Sequence, residues 1–386
     1  MKKLVLKAGQ IQTAMNFLFP GFEKTGTHPE SQLLHIEAKE KFLIFTTRNR
    51  YVIGRFAIDM GKELESFSTL IQYERFRNLI NTYLPETRIS LIPDENRLTV
   101  QTNGRYSFVV YDTYYSLEMP KVDAAGKADY ATLHKLLTLA KPFTSIDKAT
   151  VSANKAIRLV YNETDQTLKS MVIDNSVAAQ FEVKLSKEAK IIPFDIHRPF
   201  DVYLKGTLVS KMQANAISGE AKLYVNDDQS AFSIVGHDGK AKMVMSTLND
   251  LEESAGVVET VLGEHRPHYF TVDLDIFEVI LQRMVNFAPD DIHVSAAASE
   301  KKVTFTAQEH GKVLAQESME CEDIKGHVNI RMPIRVVTNI VKLLSNSGGK
   351  LKFQVNKDGT TAMVTGPVSD NIIMTVGFST EGEDSE

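Results

Sequence analysis

The sequence predicts an α+β protein of three repeated domains, each with two helices packed on antiparallel sheets. Three observations carry that reading. Amphipathic helical stretches are followed each time by strand-like runs parted by turn residues. This helix-led unit recurs at a spacing of roughly 130 residues, about the size of one domain. The stretch preceding each unit has the same order again, so each third of the chain reads as two half-units of about 60 residues.

The clearest unit lies within Phe67–Asp112. Tyr73, Phe76, Leu79, Ile80, Tyr83 and Leu84 recur at helical spacing, and Pro85 ends the helix. Strands are expected at Arg88–Ile92, Leu98–Thr102 and Arg105–Tyr111, with a hairpin at Asn103-Gly104. The same order returns at helix Leu204–Ile217 with strands Lys222–Asn226, Ala231–Val235 and Lys240–Leu248. It returns once more at helix Ile334–Ser345 with strands Lys350–Asn356, Ala362–Thr365 and Ile372–Phe378. The preceding half-units are helix Leu6–Leu18 with strands Leu33–Ala38, Phe42–Arg48 and Tyr51–Asp59; helix Tyr130–Ala140 with Ala156–Tyr161, Leu168–Ile173 and Ala178–Leu185; and helix Leu274–Phe287 with Ile292–Ala296, Lys302–Gln308 and Val313–Met319. Met119–Gly126 and Asn249–His268 read as linkers, which sets domains at 1–125, 126–255 and 256–378. The acidic tail 379–386 lacks an apolar anchor and is expected to be disordered.

Composition narrows the function classes. The 386 residues are 43% hydrophobic and 24% charged, the balance of an ordinary soluble protein. There is no long apolar run to span a membrane, and the single cysteine, Cys321, suits a reducing compartment. The net charge of -5 argues against a chain coated all over in nucleic acid, though not against a local basic surface. The six expected helices carry nine Lys or Arg against three acids, Glu74, Asp275 and Glu278, while the whole chain has 49 acids against 44 bases. If two chains closed a ring with twelve helices inside, helices about 10 Å wide would leave a bore of about 25–30 Å, room for a duplex.

Catalysis and metal binding are not expected. Gly236-His237-Asp238-Gly239-Lys240 has the wrong spacing for a phosphate-binding loop and reads as a hairpin turn. His265 and His268 sit in a linker without cysteine partners. Cys321 lies between Glu320 and Glu322, a poor setting for a thiolate nucleophile.

The pattern as a whole resembles the bacterial-type DNA sliding clamp, the beta subunit of DNA polymerase III. The resemblance rests on the threefold repeat of paired helix-led half-units, on Phe67–Tyr111 with its Asn-Gly-Arg-Tyr-Ser-Phe hairpin, and on the terminal Asn-Ile-Ile-Met-Thr-Val strand. It implies three DNA-clamp domains in a head-to-tail homodimer, a pseudo-sixfold ring around double-stranded DNA. Such a processivity factor has no enzyme activity and no cofactor. It tethers the replicative DNA polymerase and other replication and repair proteins, is opened by an ATP-dependent clamp loader, and works in the bacterial cytoplasm or nucleoid. Two departures mark a divergent member, and a bacteriophage-encoded copy would fit them. Ile173-Asp174-Asn175-Ser176-Val177-Ala178 stands where the family has Thr-Asp-Gly-His-Arg-Leu, and the chain continues past its last strand.

Weak, replaceable phosphate contacts suit flexible cations on helices. That points to Arg75, Arg77, Lys135, Lys141, Lys205, Lys211, Arg283, Arg335 and Lys342, with Lys148 and Lys155 as weaker candidates. The resemblance places a partner-peptide pocket at Ile173, Val177, Ala178, Ile372, Met374 and Val376, and the dimer interface at Phe108 and Phe287. The competing readings are a solvated helix face for each cation, strand core for the pocket set and interior packing for the phenylalanines. A clamp-fold scaffold that never encircles DNA is the alternative function.

Overall fold

The computed structural model describes residues 3–25, 28–113, 118–144, 155–174, 176–183, 194–248, 252–288, 290–321, 323–345, 349–369 and 371–380. Six times the chain follows one order: a lead strand, a helix, then three strands. The first repeat is β1 (Leu4–Lys7), α1 (Ala8–Leu18), β2 (Leu33–Lys39), β3 (Phe42–Arg48) and β4 (Val52–Asp59). The second is β5 (Phe67–Gln72), α2 (Tyr73–Asn81), β6 (Arg88–Pro93), β7 (Arg97–Gln101) and β8 (Arg105–Val109). The third is β9 (Asp123–Asp129), α3 (Tyr130–Ala140), β10 (Ala156–Asn162), β11 (Thr167–Asp174) and β12 (Val177–Val183). After β13 (Phe194–Ile196), the fourth is β14 (Phe200–Lys205), α4 (Gly206–Val209), β15 (Glu220–Val225), β16 (Ala231–Gly236) and β17 (Ala241–Ser246). A separate helix, α5 (Glu252–Gly263), precedes the fifth: β18 (His268–Asp273), α6 (Leu274–Met284), β19 (Asp291–Ala297), β20 (Lys302–Glu309) and β21 (Lys312–Glu320). After β22 (Ile324–Lys325), the sixth is β23 (His327–Pro333), α7 (Ile334–Leu344), β24 (Lys350–Val355), β25 (Thr361–Ser369) and β26 (Ile372–Ser379).

The helices share one burial code. The first helical residue is buried in each (Ala8, Tyr73, Tyr130, Gly206, Leu274, Ile334), and so is the fourth (Ile11, Phe76, Leu133, Val209, Phe277, Val337). In the longer helices the stripe continues one and two turns on, as with Ile340, Val341 and Leu344 in α7. The lead strand runs into the helix without a turn, and its last residue is the N-cap in extended conformation: Lys7, Gln72, Lys205, Asp273 and Pro333.

By contact the chain divides into two compact units, Met1–Lys135 with Ile192–Asn249 and Leu136–Ile191 with Asp250–Glu386, the boundary falling inside α3. The first unit holds a sheet in the order β1-β6-β7-β8 and a larger one in the order β13-β9-β15-β16-β17-β4-β3-β2-β5. Within the second unit one sheet runs β10-β11-β12-β26-β25-β24-β18-β22 and the other runs β21-β20-β19-β23. Every strand pairing given among the described residues is antiparallel. Lead strands are exchanged between neighbouring repeats. β1 pairs with β6 (Leu4 opposite Leu91), while β5 pairs back with β2 (Leu33 opposite Gln72). Likewise β9 joins β15, β18 joins β24 and β23 joins β19.

Four sequence expectations change. The helix expected over Leu204–Ile217 is only Gly206–Val209, because Leu204 and Lys205 finish β14 and the stretch after Val209 folds as turns. Ser210 Oγ donates to the Thr207 carbonyl there, a side-chain bond that competes with helical continuation. The expected linker Asn249–His268 contains α5, and Met119–Gly126 runs into β9. The expected disordered tail begins two residues too early. Ser379 closes β26, and the Thr380 N–H and hydroxyl donate to the Thr360 and Gly359 carbonyls. Residues 381–386 lie outside the described residues.

Candidate functional site

Three features bear on function: the polar helix faces, a groove on the second unit, and two open sheet edges.

The nine expected cations divide by environment. Arg75, Lys135, Lys141 and Lys342 are exposed, on or just past the ends of α2, α3 and α7 and away from the buried stripe. Arg283 is exposed and pairs with Glu317 of β21 at 3.2 Å, and Arg335 donates to the Thr144 carbonyl at 3.1 Å. The other three fold back onto their own unit. The Arg77 guanidinium lies 4.4 Å from the Phe19 ring centre, and the Lys205 ammonium 4.0 Å from that of Tyr51. Lys211 Nζ donates to the Phe22 carbonyl at 2.5 Å, and burial lowers its pKa from the usual lysine value. Lys155 is half-buried and Lys148 falls outside the described residues.

The groove lies at the turn between β11 and β12. Residues directly opposite one another in an antiparallel sheet share a face, so Ile173, Ala178 and Gly377 form one line across β11, β12 and β26. That line faces outward. It opens on a cavity of about 180 Å³ lined by Ile173, Asp174, Ser176, Val177, Ala178, Thr361, Gly377, Phe378 and Ser379, with Val257 and Val261 of α5. Three of the six expected pocket residues, Ile173, Val177 and Ala178, therefore line it. Ile372, Met374 and Val376 do not. They alternate with the outward residues of β26, point into the core with Phe378, and are fully buried. Asn175, at the turn, is outside the described residues. The contributions of α5 and of Gly377 were missed. Gly377 gives no apolar signal, and α5 was hidden by its glycines and acids.

The edges are β8, last strand of β1-β6-β7-β8, and β21, last of β21-β20-β19-β23. Val109 on β8 is 71% exposed, and Tyr106 is also exposed. Val313 and Leu314 of β21 are exposed, as are Ile276 and Val279 of α6, which packs against β21, and Val285 and Phe287 just past that helix. Arg105 is exposed on the first edge, and the second carries Lys312, Glu320 and Glu317, the last paired with Arg283. Phe287 is 49% exposed, whereas Phe143, the same number of residues past the start of its helix, is 3% exposed and packs on Phe181. Phe108 is half-buried, with its ring 5.6 Å from that of Phe76, so it belongs to the packing of α2 on its own sheet. Ile276 and Val279 were missed, although an apolar residue off the buried helical stripe is a signal the sequence carries.

Among the described residues no cluster of three or more His, Cys, Asp or Glu is arranged to hold a metal, and no helix is long and apolar enough to cross a membrane. Cys321 is buried, its thiol donating to the Thr271 carbonyl.

No protein-family model matches the chain, and no curated protein matches it significantly in sequence. Solved structures do. The chain is similar to the DNA polymerase III subunit beta from Pseudomonas aeruginosa at TM-score 0.80 and 12% identity, covering 99% of this chain and 100% of that one. It is similar to the Helicobacter pylori beta clamp in complex with Carprofen at TM-score 0.79 and 12% identity, over the same shares. The Helicobacter pylori beta clamp bound to DNA ligase peptide aligns at TM-score 0.77 and 11% identity, again over 99% and 100%. The chain has the fold of these bacterial sliding clamps along its whole length.

Proposed function

We propose that this chain is a DNA polymerase processivity factor, a sliding clamp that closes head to tail with a second copy around duplex DNA. The observation that carries the proposal is the open edges. Within each unit, the last strand of an odd repeat pairs with the last strand of the repeat three places further on: β4 of the first with β17 of the fourth, and β12 of the third with β26 of the sixth. Counting on from the fifth repeat into a second copy, the same rule pairs β21 with β8 of the second repeat, and among the last strands of the repeats these two are the ones that end a sheet. Pairing β21 with β8 of a second copy extends the rule from chain to chain, brings exposed apolar side chains of the two edges together, and removes two exposed strand edges. Three domains per chain, 1–125, 126–255 and 256–378, then make six in the closed assembly.

Arg75, Lys135, Lys141 and Lys342 supply phosphate contacts without base readout, so the duplex is held by encirclement and slides. The groove at Ile173, Val177 and Ala178 takes a short segment of the replicative polymerase and of other replication and repair proteins. The Helicobacter pylori clamp with its DNA ligase peptide supports that mode. An ATP-dependent loader opens the assembly, and the clamp itself performs no chemistry and needs no cofactor. The test is topological. Loaded onto nicked circular DNA, the protein should stay bound through gel filtration and be lost when the circle is cut once. Equal retention on cut and uncut DNA would leave a clamp-fold scaffold that does not encircle.

A further inference from the structure

The register that builds the groove recurs in the first unit. In the second unit Val177, the first residue of β12, pairs with Phe378 of β26, and the next N–H along, that of Ser379, donates to the Ser176 carbonyl at 2.9 Å. In the first unit Ala241, the first residue of β17, pairs with Phe56 of β4, and the next N–H along, that of Ala57, donates to the Lys240 carbonyl at 2.7 Å. Position for position, Phe56, Ala57 and Lys240 stand where Phe378, Ser379 and Ser176 stand in the groove. They too line a cavity, of about 280 Å³ against about 180 Å³ in the groove.

The floor of this cavity is apolar, made by Phe56 and Ile58 of β4. His237, in the turn before β17, makes one wall. Its ring meets that of Phe56 edge-on at 5.4 Å, and its Nε2 donates to the Ala216 carbonyl at 3.0 Å. His237 and Asp238 both have left-handed backbone (φ 51° and 54°), a conformation that residues with a side chain rarely hold and that clusters at binding sites. Where α5 borders the groove with valines, α1 borders this cavity with Gln10 and Thr13, so its rim is polar. The rim also has surplus positive charge. Asp59 is the one acid among the lining residues, and it faces two lysines, Lys41 at 3.3 Å and Lys240. The volume is just under the roughly 300–1,000 Å³ of sites that enclose whole ligands, and suits one side chain with the group beside it.

We infer that this cavity is a second partner site, which takes a short peptide segment bearing an apolar side chain followed by a carboxylate. The inference rests on the reading of the groove as a partner site and extends it to the counterpart in the same chain. The apolar side chain packs on Phe56 and Ile58, and the carboxylate meets Lys240, a cation where the groove has Ser176.

The test uses the full chain with methyl-labelled isoleucine and the blocked dipeptide acetyl-Leu-Asp-amide, followed by methyl NMR. Ile58 reports on this cavity and Ile173 on the groove. The Ile58 methyl should shift and saturate. Acetyl-Leu-Asn-amide, which lacks the carboxylate, should bind here about threefold more weakly, and Lys240→Met should weaken acetyl-Leu-Asp-amide by the same factor, the scale of an exposed ion pair. Lys240 is exposed and meets Ala57 through its backbone, so the variant keeps the fold. An Ile58 signal that stays in place, or that responds equally to both dipeptides and in Lys240→Met, overturns the inference. If Ile173 shifts and Ile58 does not, the groove stands without a counterpart. If Ile58 shifts and Ile173 does not, this site stands and the reading of the groove fails.

Discussion

Glu264 joins α5 to the strands beneath it. Its carboxylate accepts from the Thr361 hydroxyl and the Asn356 amide and pairs with Arg266, and its pKa is lowered by these in turn, the Thr361 bond most. Asn356 is buried and also accepts the backbone N–H groups of Thr360 and Thr361, so the turn after β24 and the end of α5 form one polar cluster. A carboxylate with a depressed folded-state pKa contributes stability above its unfolded value and loses it as pH falls through the folded value. Unfolding midpoints in urea should therefore fall as pH drops below about 4, and Glu264→Gln should flatten that part of the profile while leaving neutral pH less affected. An unchanged acid limb in the variant would mean Glu264 is not held in this cluster. The cluster was invisible in the sequence, because Glu264 and Asn356 meet only once β18 and β24 are paired.

At the scale of elements, periodicity located the helices because their buried stripe repeats turn by turn from Tyr73, Tyr130, Leu274 and Ile334. It failed at the lead strands for a physical reason. β5 flows into α2 through Gln72 and β18 into α6 through Asp273, with no glycine or proline to mark the change, so each strand read as part of a connection. The groove was half readable for a similar reason. Along β26 Ile372, Met374, Val376 and Phe378 alternate with Ile373, Thr375, Gly377 and Ser379, and only the register against β12 shows that Gly377, on the less apolar face, lies opposite Ala178. The short α4 is a third case. Lys211 folds back to the Phe22 carbonyl, tying the turn beyond α4 to the turn after α1. Lys211→Met keeps the apolar stem and removes the donor. It should cost about 1 kcal/mol in equilibrium unfolding, since the carbonyl loses a charged partner at a half-exposed site. A stability equal to wild type would show that water replaces the ammonium without penalty.

At the scale of the whole molecule, the prediction concerns association. Val109→Asp and Phe287→Asp each alter a side chain exposed within its own unit, so both should fold normally. Sedimentation of the wild type at micromolar concentration should give a dimer, and the double variant a monomer with unchanged circular dichroism. A dimer that survives both changes would move the contact away from β8 and β21. Phe108, expected from sequence to serve at this interface, is a poor probe because its packing against Phe76 makes substitution a test of folding instead.

The exchange of lead strands constrains how the protein can be made. Leu4 waits for Leu91, so the opening sheet cannot close until the second repeat has left the ribosome, and at roughly 5–20 residues per second that leaves a nascent segment bare for several seconds. Because β5 reaches back to β2 in the same act, neither half of the first third matures before the other. The pair must collapse together, and a chain arrested between Asp59 and Arg88 is the species that chaperones and proteases would meet.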